Sequence, residues 1–424
     1  MFKFLLKGII RDHHRSLFPV IIVVLGVFLT VLAFCWINGI LGDMIDFNAK
    51  YSTGHVKIVT RSYEENMDQM PVELALGNTG ELLAAMKKEY PDMDWVERIQ
   101  FGGLVDAPDE KGETRSQGPA IGMAIDLLSS NSNEIARLNL KKSLITGKVP
   151  QKSGEILISS DLANKLKVVP GQTVTLMTST MYGSMAMQNY IVSGTIKFGV
   201  TALDKGAMIM DISDAKYVMD MQDDASEILG YFSNGVYNNF LATDIQNKFN
   251  AAYKDSTGEF APVMLKLRDQ NELASMLDYI SRMVSIFISV FVLAMSIVLW
   301  NAGLLGGLRR YGEMGLRLAI GEFKGRVYRS LIYESIIVGL IGSVIGTIIG
   351  LGVAFYLQEV GLDFSDLMQG ATVLWPGVFR AKVTAQAYYI GFIPGLISTV
   401  IGTMLSGIGI YKRQTAQLFK ELET

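Results

Sequence analysis

The sequence predicts a polytopic α-helical membrane protein with four transmembrane helices and a large α+β extracytoplasmic domain between the first two spans. Two observations predict this class. Half of the 424 residues are hydrophobic while 19% are charged, a balance typical neither of a soluble enzyme nor of a protein buried wholly in a bilayer. Four apolar stretches are also long enough to cross a hydrocarbon core of about 30 Å at about 1.5 Å per residue.

Hydropathy and charge divide the chain into segments that alternate between membrane and water. In the first 16 residues, cations and apolar residues lie on opposite helical faces, which is typical of a helix in the membrane interface. The predicted segments, in chain order, are a cytoplasmic amphipathic helix (1–16), a first span (17–41), an extracytoplasmic domain with a stalk (42–276), a second span (277–308), a charged cytoplasmic segment (309–329), a third span (330–357), an extracytoplasmic loop (358–385), a fourth span (386–411) and a cytoplasmic tail (412–424).

Positive charge orients the spans. Lysine and arginine are concentrated in the first 16 residues, in the segment 309–329 and at the start of the tail. These regions lie on one side of a four-span protein, and the positive-inside rule makes that side the cytoplasm. We therefore expect both termini in the cytoplasm. The domain 42–276, with 22 Lys and Arg against 31 Asp and Glu, is expected on the opposite side.

The domain 42–276 mixes predicted strands and helices without regular alternation, which favours an α+β fold over a doubly wound sheet. "GHVKIVT" alternates like a strand, whereas "TGELLAAMKKEY" has helical periodicity. At the end of the domain, Asp269 and Glu272 have the spacing of a capping box. They predict a helix from about residue 270 to 308, roughly 58 Å long, whose first turns extend beyond the membrane as the stalk.

The chain lacks the motifs that nucleotide binding or catalysis would need. It contains neither a Gly-x-x-x-x-Gly-Lys phosphate loop followed by Ser or Thr nor a Gly-x-Ser-x-Gly elbow. Three histidines and one cysteine give no metal-ligand cluster and exclude a disulfide framework, so Cys35 is expected to be a buried, inert thiol. We therefore expect a non-catalytic chain that carries no cofactor of its own.

Small residues recur every four positions in the third predicted span. Gly342, Gly346 and Gly350 form one stripe, and a neighbouring stripe includes Gly339 and Ser343. Small residues at this spacing let helices approach closely in lipid. The two stripes therefore predict helix packing and say nothing about a substrate.

The segment "RRYGEMGLRLAIGEFKGRV" (309–327), between the second and third spans, packs seven charged residues and four glycines into nineteen positions. With Asn301 upstream, it resembles the signature of the MacB/FtsX-type (type VII) permeases of ABC transporters, and departs from it at Glu322, where the family has alanine. By this resemblance the segment is the coupling element that contacts a separate ATPase subunit, which binds ATP and magnesium. The positions implied in the contact are Arg310, Glu313, Met314, Gly315, Arg317, Ala319 and Gly321.

The resemblance extends over almost the whole chain. "INGILGDMIDF", "GEILISSDLANKLKVVPGQTVTL", "YIVSGTI" and "LDKGAMIMDISDAKYVM" follow the order found in LolC and LolE, the lipoprotein-releasing permeases, with a MacB-like periplasmic domain. This implies a permease of the bacterial inner membrane that extracts lipoproteins or another lipophilic cargo by mechanotransmission, in which closure of an ATPase dimer is passed through the stalk to the periplasmic domain. The implied partners are an ABC ATPase dimer, a second permease subunit of the same or another sequence, membrane lipids and, as a further candidate, a periplasmic lipoprotein carrier. No feature points to nucleic acid.

Two alternatives within the family stay open. One is export of peptides or drugs in the manner of MacB. The other is an FtsX-like regulator that transports nothing and relays ATP hydrolysis to periplasmic hydrolases. The size of the domain 42–276 argues against the regulator, because FtsX-type proteins carry a much smaller domain.

A predicted hairpin in the domain, "LMTSTMYGSMAMQNY", contains four methionines around a Tyr-Gly pair. In one interpretation the methionines pack on the domain. In the other, Met181, Tyr182 and Met185 contact a carrier or cargo, since flexible, polarisable methionine suits surfaces that accept varied apolar partners. LolC-like permeases have a carrier-binding hook in this interval, but this hairpin is shorter and lacks the hook's prolines, so a LolE-like or lid role is the alternative.

Overall fold

The computed structural model describes residues 13–109, 111–198, 201–256, 258–270, 272–363 and 378–412, and the side chains within them except those of 13–16, 201–202, 302–315 and 409–412. The predicted amphipathic helix lies outside the described residues up to residue 12, as does the predicted tail from residue 413. The chain divides into two compact units. One comprises Met1–Gly42, Met276–Leu362 and Phe379–Thr424, and the other comprises Asp43–Ser275 and Asp363–Val378.

Helices and strands of the described residues are numbered here in chain order. The α-helices are α1 (His13–Asn48), α2 (Arg61–Glu65), α3 (Thr79–Glu89), α4 (Glu134–Arg137), α5 (Leu140–Ser143), α6 (Ser160–Leu166), α7 (Thr201–Asp204), α8 (Ile212–Val218), α9 (Asn239–Ala252), α10 (Leu273–Ala319), α11 (Lys324–Val360), α12 (Ala387–Ile390) and α13 (Phe392–Lys412). The strands are β1 (Val56–Thr60), β2 (Met93–Pro108), β3 (Thr114–Ile125), β4 (Leu144–Gly147), β5 (Glu155–Ser159), β6 (Thr173–Ser179), β7 (Met185–Ile196), β8 (Ala207–Asp211), β9 (Glu227–Phe232), β10 (Pro262–Lys266), β11 (Leu362–Asp363) and β12 (Val378–Phe379).

Four helical segments are long and apolar enough to cross a membrane, which confirms the prediction of four spans. They are Leu17–Thr53, Leu273–Asn301, Lys324–Val360 and Ala387–Ile408. The first continues beyond α1 as a short π-helix, Ala49–Thr53, that ends at Gly54 with a φ of 61°. The predicted first span is therefore the apolar part of a longer helix that carries its polar end into the second unit.

The second long helix begins and ends at residues other than those predicted. The predicted capping box is wrong, because Glu272 adopts a left-handed φ of 53° and α10 begins only at Leu273. The Asp269 carboxylate instead accepts a hydrogen bond from the Gln246 amide at 2.8 Å and pairs with Lys266 at 3.3 Å. These two partners, Gln246 from α9 and Lys266 from β10, take the carboxylate that a helix cap would have used. At its other end, α10 continues to Ala319, so its 47 residues extend about 70 Å.

The glycine stripe of α11 lies against α1. A β-carbon added at Gly342 would lie 2.7 Å from Cβ of Val23, and one at Gly346 would lie 2.7 Å from the Val24 carbonyl oxygen. The neighbouring stripe lies against α13, where a β-carbon at Gly339 would lie 2.6 Å from the Thr399 hydroxyl. Only glycine permits these approaches, so the two stripes set the distances from α11 to α1 and to α13.

The second unit is built on a ten-stranded sheet whose strands close partly on themselves. The path β10-β1-β9-β2-β3-β8-β5-β7-β4 accounts for nine strands, and β6 pairs with both β2 and β7. The strands β2, β3, β8, β5, β7 and β6 therefore form a closed ring, in which the pairs β3–β8 and β5–β7 are parallel. Mixed pairing within one sheet is the α+β arrangement that the irregular order of elements predicts.

Two hydrophobic cores share the strand β2. The larger core joins buried residues of all six ring strands, among them Phe101, Ile156 and Leu176. The smaller core lies between the sheet β10-β1-β9-β2 and the helices α3 and α9, and its largest member is Trp95. The first half of β2 pairs with β9 and the second half with β6, so this 16-residue strand belongs to both cores.

Candidate functional site

A four-residue turn joins α10 to α11 and lies within the predicted coupling segment. The amide of Glu322 donates to the Arg317 carbonyl at 3.0 Å, and that of Gly321 donates to the Leu318 carbonyl at 3.1 Å. These two bonds form a Schellman motif, which requires the left-handed conformation that Gly321 adopts with a φ of 98°. Glycine at 321 therefore ends the second long helix and sets the direction in which the chain enters α11.

The turn displays large apolar side chains to its surroundings. Leu316, Ile320 and Phe323 are 55%, 77% and 74% exposed, respectively. The same stretch carries the cations Arg317, Lys324, Arg326 and Arg329. We call residues 316–323 the coupling turn, an exposed apolar surface in a strongly basic stretch of chain.

The structure brings part of the predicted coupling set into this turn. Arg317 and Ala319 lie in the last turn of α10, and Gly321 ends it. The side chains of Arg310, Glu313, Met314 and Gly315 lie outside the described residues, although their backbone belongs to α10. Ile320 and Phe323, the most exposed apolar residues of the turn, were missed because the signature consists of charged and small positions.

The methionine hairpin is the β6–β7 ribbon, in which Met177 pairs with Met187 and Ser179 with Met185. Tyr182, at the turn, is 74% exposed, and Met185 is 75% exposed. Met181 is partly buried against the larger core, and its amide donates to the Met219 carbonyl at 2.9 Å. Each interpretation of the hairpin therefore applies to different side chains: Met181 packs on the domain, while Tyr182, Met185 and Met187 do not.

A buried ion network lies where the first long helix ends. The Arg98 guanidinium on β2, fully buried, donates to the Lys50 carbonyl at 2.9 Å and to the Glu134 carboxylate at 2.8 Å. Arg137 also donates to Glu134, as well as to Asp94. The strand β2 and the helix α4 thus each contribute one arginine and one carboxylate to the network. We call these four residues the ionic quartet, and its contact with Lys50 holds the π-helical end of the first long helix.

A histidine follows the end of this helix. The His55 ring is 3% exposed, and its Nδ1 accepts a hydrogen bond from the Phe232 amide at 2.9 Å. Burial, followed by the positive charge of Arg137, lowers the pKa of the His55 imidazole to about 4. The ring is therefore neutral at physiological pH, with its proton on Nε2, since Nδ1 is an acceptor.

Sequence patterns gave no signal for the ionic quartet or for His55. Glu134 and Tyr231, the side-chain partners of Arg98, are 36 and 133 residues away along the chain. Within the part of the chain that the structure describes, no group of three or more His, Cys, Asp or Glu side chains is placed to hold a metal ion.

Comparison with known proteins identifies the family to which the chain belongs. No curated protein matches the chain in sequence. Among solved structures, the chain is similar to the crystal structure of the periplasmic region of MacB from Actinobacillus actinomycetemcomitans, at 8% identity and a TM-score of 0.35, over 54% of this chain and 96% of that one. The model of the MacB-like periplasmic core domain matches residues 16–271, and the model of the FtsX-like permease C-terminal region matches residues 285–415. The first match alone spans more than half of the sequence, and the chain therefore belongs to the MacB/FtsX-type permeases of ABC transporters.

Proposed function

We propose that this permease extracts a lipophilic cargo, in the first instance a lipoprotein, from the bacterial inner membrane by mechanotransmission. Permeases of this family are multi-pass membrane components that work with ABC ATPase partners. An ATPase dimer docks on the coupling turn, and two permease chains, identical or different, complete the complex. The distribution of positive charge supports a cytoplasmic location for the coupling turn and for both termini.

The observation that carries the proposal is the exposed apolar surface of the coupling turn. Apolar side chains surrounded by charges are typical of the centre and rim of a protein–protein interface. Ile320 and Phe323 are each about three-quarters exposed, and burying such a side chain contributes about 1.5–3 kcal/mol. A groove on an ATPase subunit that covers both would gain several times the thermal energy from this contact.

The helix α10 provides the route along which a movement of the coupling turn is transmitted. It contains no proline, and its helical hydrogen bonding continues from Leu273 to the Schellman motif at Gly321. An uninterrupted helix of about 70 Å resists bending more than a chain with a loop at the same place. A displacement of the coupling turn would therefore move the whole helix up to the residue where the second unit begins.

The methionine hairpin supports an apolar partner for the second unit. Tyr182, Met185 and Met187 are more than half exposed on one ribbon, where they bury little surface within the chain. Flexible thioethers adapt to partners of varied shape, as a lipoprotein carrier or an acylated cargo would require. Handover to a carrier is thus part of the proposed function.

Replacing the two exposed residues of the coupling turn tests the proposal. The double variant Ile320→Ser with Phe323→Ser should reduce co-purification of ABC ATPase with the full chain from native membranes at least tenfold. Lipoprotein should accumulate in the inner membrane of cells that carry this variant, because ATPase docking is lost. Phe260→Ser, which removes a 57% exposed phenylalanine from the second unit, is the control and should change neither quantity. Undiminished ATPase recovery with the double variant would refute docking at this turn.

A further inference from the structure

A pocket of about 440 Å³ lies at the end of the first long helix, and the proposed function does not use it. Its lining includes the apolar and aromatic residues Ala49, Tyr231 and Phe232. The volume is within the range of about 300–1,000 Å³ in which proteins bind small molecules. Several charged side chains converge on it, among them Asp46 and Lys50 of the helix end.

The charges around the pocket differ in whether the protein already pairs them. Arg137 is held by Glu134 and Asp94 and stacks over the Tyr231 ring at 3.9 Å. Among the residues that the structure describes, by contrast, neither the Asp46 carboxylate nor the Lys50 ammonium has an ion-pair or hydrogen-bond partner for its side chain. The pocket therefore offers one uncommitted charge of each sign.

Neutral donors lie beside these charges. Nδ1 of His55 accepts the Phe232 amide, so the neutral ring carries its proton on Nε2, which has no partner among the described residues. The Ser233 hydroxyl, another group of the lining, donates to the Asp92 carbonyl and keeps its lone pairs as acceptors. Lys50 and the Nε2–H of His55 can both donate to an anionic group, while Asp46 and Ser233 can accept from a cationic one.

The charges select the class of ligand. A simple anion would face Asp46 and a simple cation would face Lys50, whereas a zwitterion satisfies both. Asp46 follows Leu41, the last residue of the apolar run of α1, by five residues, about 8 Å along the helix. The headgroup layer of a bilayer is of similar thickness, roughly 5–8 Å on each side. We propose that this pocket binds a zwitterionic phosphoamine, with its ammonium at Asp46 and its phosphate at Lys50 and the Nε2–H of His55.

Lipid-binding measurements on the full chain test this proposal. The purified, delipidated protein is mixed with dioleoyl phosphatidylethanolamine or dioleoyl phosphatidylglycerol, and retained lipid is counted by native mass spectrometry. We expect preferential retention of phosphatidylethanolamine. Asp46→Asn and Lys50→Gln should each lower this retention about tenfold, because each leaves one charge of the ligand unpaired. Equal retention of the two lipids by the unaltered chain, or unchanged retention in both variants, would overturn the proposal.

A control and a competitor complete the experiment. Lys88→Gln with Glu89→Gln removes the same two charge types from the exposed end of α3 and should leave retention unchanged. A loss as large as in the pocket variants would show nonspecific attraction and overturn the site.

Soluble phosphoethanolamine distinguishes the sources of the ligand. Displacement of the lipid would show that the phosphoamine group suffices, so that a free ligand also binds, whereas no displacement would identify the membrane lipid as the ligand.

Discussion

The two long helices that connect the membrane-spanning unit to the second unit differ in how their polar ends are held. The end of the first is buried: Met44 is 2% exposed, Thr53 is fully buried, and the Tyr51 hydroxyl donates to the Leu138 carbonyl at 2.9 Å. At the start of α10, Leu273 is 3% exposed, whereas Tyr279, less than two turns later, is 61% exposed. The first helix therefore ends among buried residues, whereas α10 becomes exposed within two turns of its first residue.

This difference suggests separate mechanical roles for the two helices. Moving the end of the first helix means breaking the contact of Lys50 with the ionic quartet, whose members are largely withdrawn from water. Before the start of α10, Gln270 is 2% exposed, and its amide donates to the carbonyls of Thr53 and Lys266 at 3.5 and 3.3 Å. We therefore expect the end of the first helix to be the more fixed attachment and the start of α10 the more movable one.

The largest effect is expected from breaking the fixed attachment. Arg98→Met leaves the Glu134 carboxylate with one partner fewer and the Lys50 carbonyl without its donor. Loss of one partner of a buried ion network lowers the free energy of unfolding by about 3–5 kcal/mol. Hydrogen exchange of the full chain should show faster exchange at residues 44–53, because the helix end has lost its anchor.

The matched control is Lys57→Met, which breaks the buried pair Lys57–Glu227, 2.5 Å apart, on β1 just beyond the helix end and outside the ionic quartet. It should lower stability by a similar amount while leaving exchange at residues 44–53 unchanged. Equal acceleration in both variants would mean that the quartet has no special role at this helix end.

An intermediate effect is expected from pH, since His55 adjoins the buried helix end. Its pKa is about 4 in the folded chain and about 6.5 when unfolded, so the unfolded chain binds more protons between these values. The contribution of the neutral His55 ring to the free energy of unfolding is therefore present in full well above pH 6.5. It is lost as the pH decreases towards 4, and the loss between pH 7.5 and pH 5 is about 2 kcal/mol. Thermal unfolding of the full chain at both pH values measures this loss. His55→Gln, which retains an acceptor for the Phe232 amide, should reduce the difference; an identical pH response in the variant would exclude His55 as its source.

The smallest effects are expected at the start of α10. Gln270→Ala removes two long hydrogen bonds and should lower the free energy of unfolding by about 1 kcal/mol. Ser275→Ala, which removes an exposed hydroxyl that donates to the nearby Glu272 carbonyl, should change it by less than about 0.5 kcal/mol. Hydrogen exchange should accelerate near residue 273 in the first variant only. A loss at Gln270 as large as that at Arg98 would remove the distinction between a fixed and a movable helix.

Sequence patterns predicted the features that depend on composition and short-range spacing. Four spans followed from hydropathy, and the stripe at Gly342, Gly346 and Gly350 lies against α1 at the spacing that the pattern shows. The coupling segment was located by its charges and glycines, but the residue within it at which α10 ends was not predicted. Glycine lowers helix stability by only about 1 kcal/mol per residue, so the glycines before Ala319 do not end α10, whereas the left-handed turn at Gly321 does.

Features that depend on contacts far apart in sequence were not predictable. The capping-box spacing of Asp269 and Glu272 is a local pattern, and a partner 23 residues upstream, Gln246, took the carboxylate instead. Closure of the strand ring requires β2 and β6, about 70 residues apart, to pair with each other. No periodicity within either strand specifies that partner, because alternation sets which face is buried and not which strand lies beside it.

The strand β2 has a consequence for how the second unit responds to force. Domains that move relative to each other are usually joined by a flexible linker with few contacts across it. Here the two cores share one continuous strand, hydrogen-bonded to β9 over Met93–Arg98 and to β6 over Leu104–Asp106. A hinge between the cores would have to bend β2 between these two stretches, where it is hydrogen-bonded to β3, so we expect the two cores to move together. Under force we therefore expect the second unit to turn as a single body.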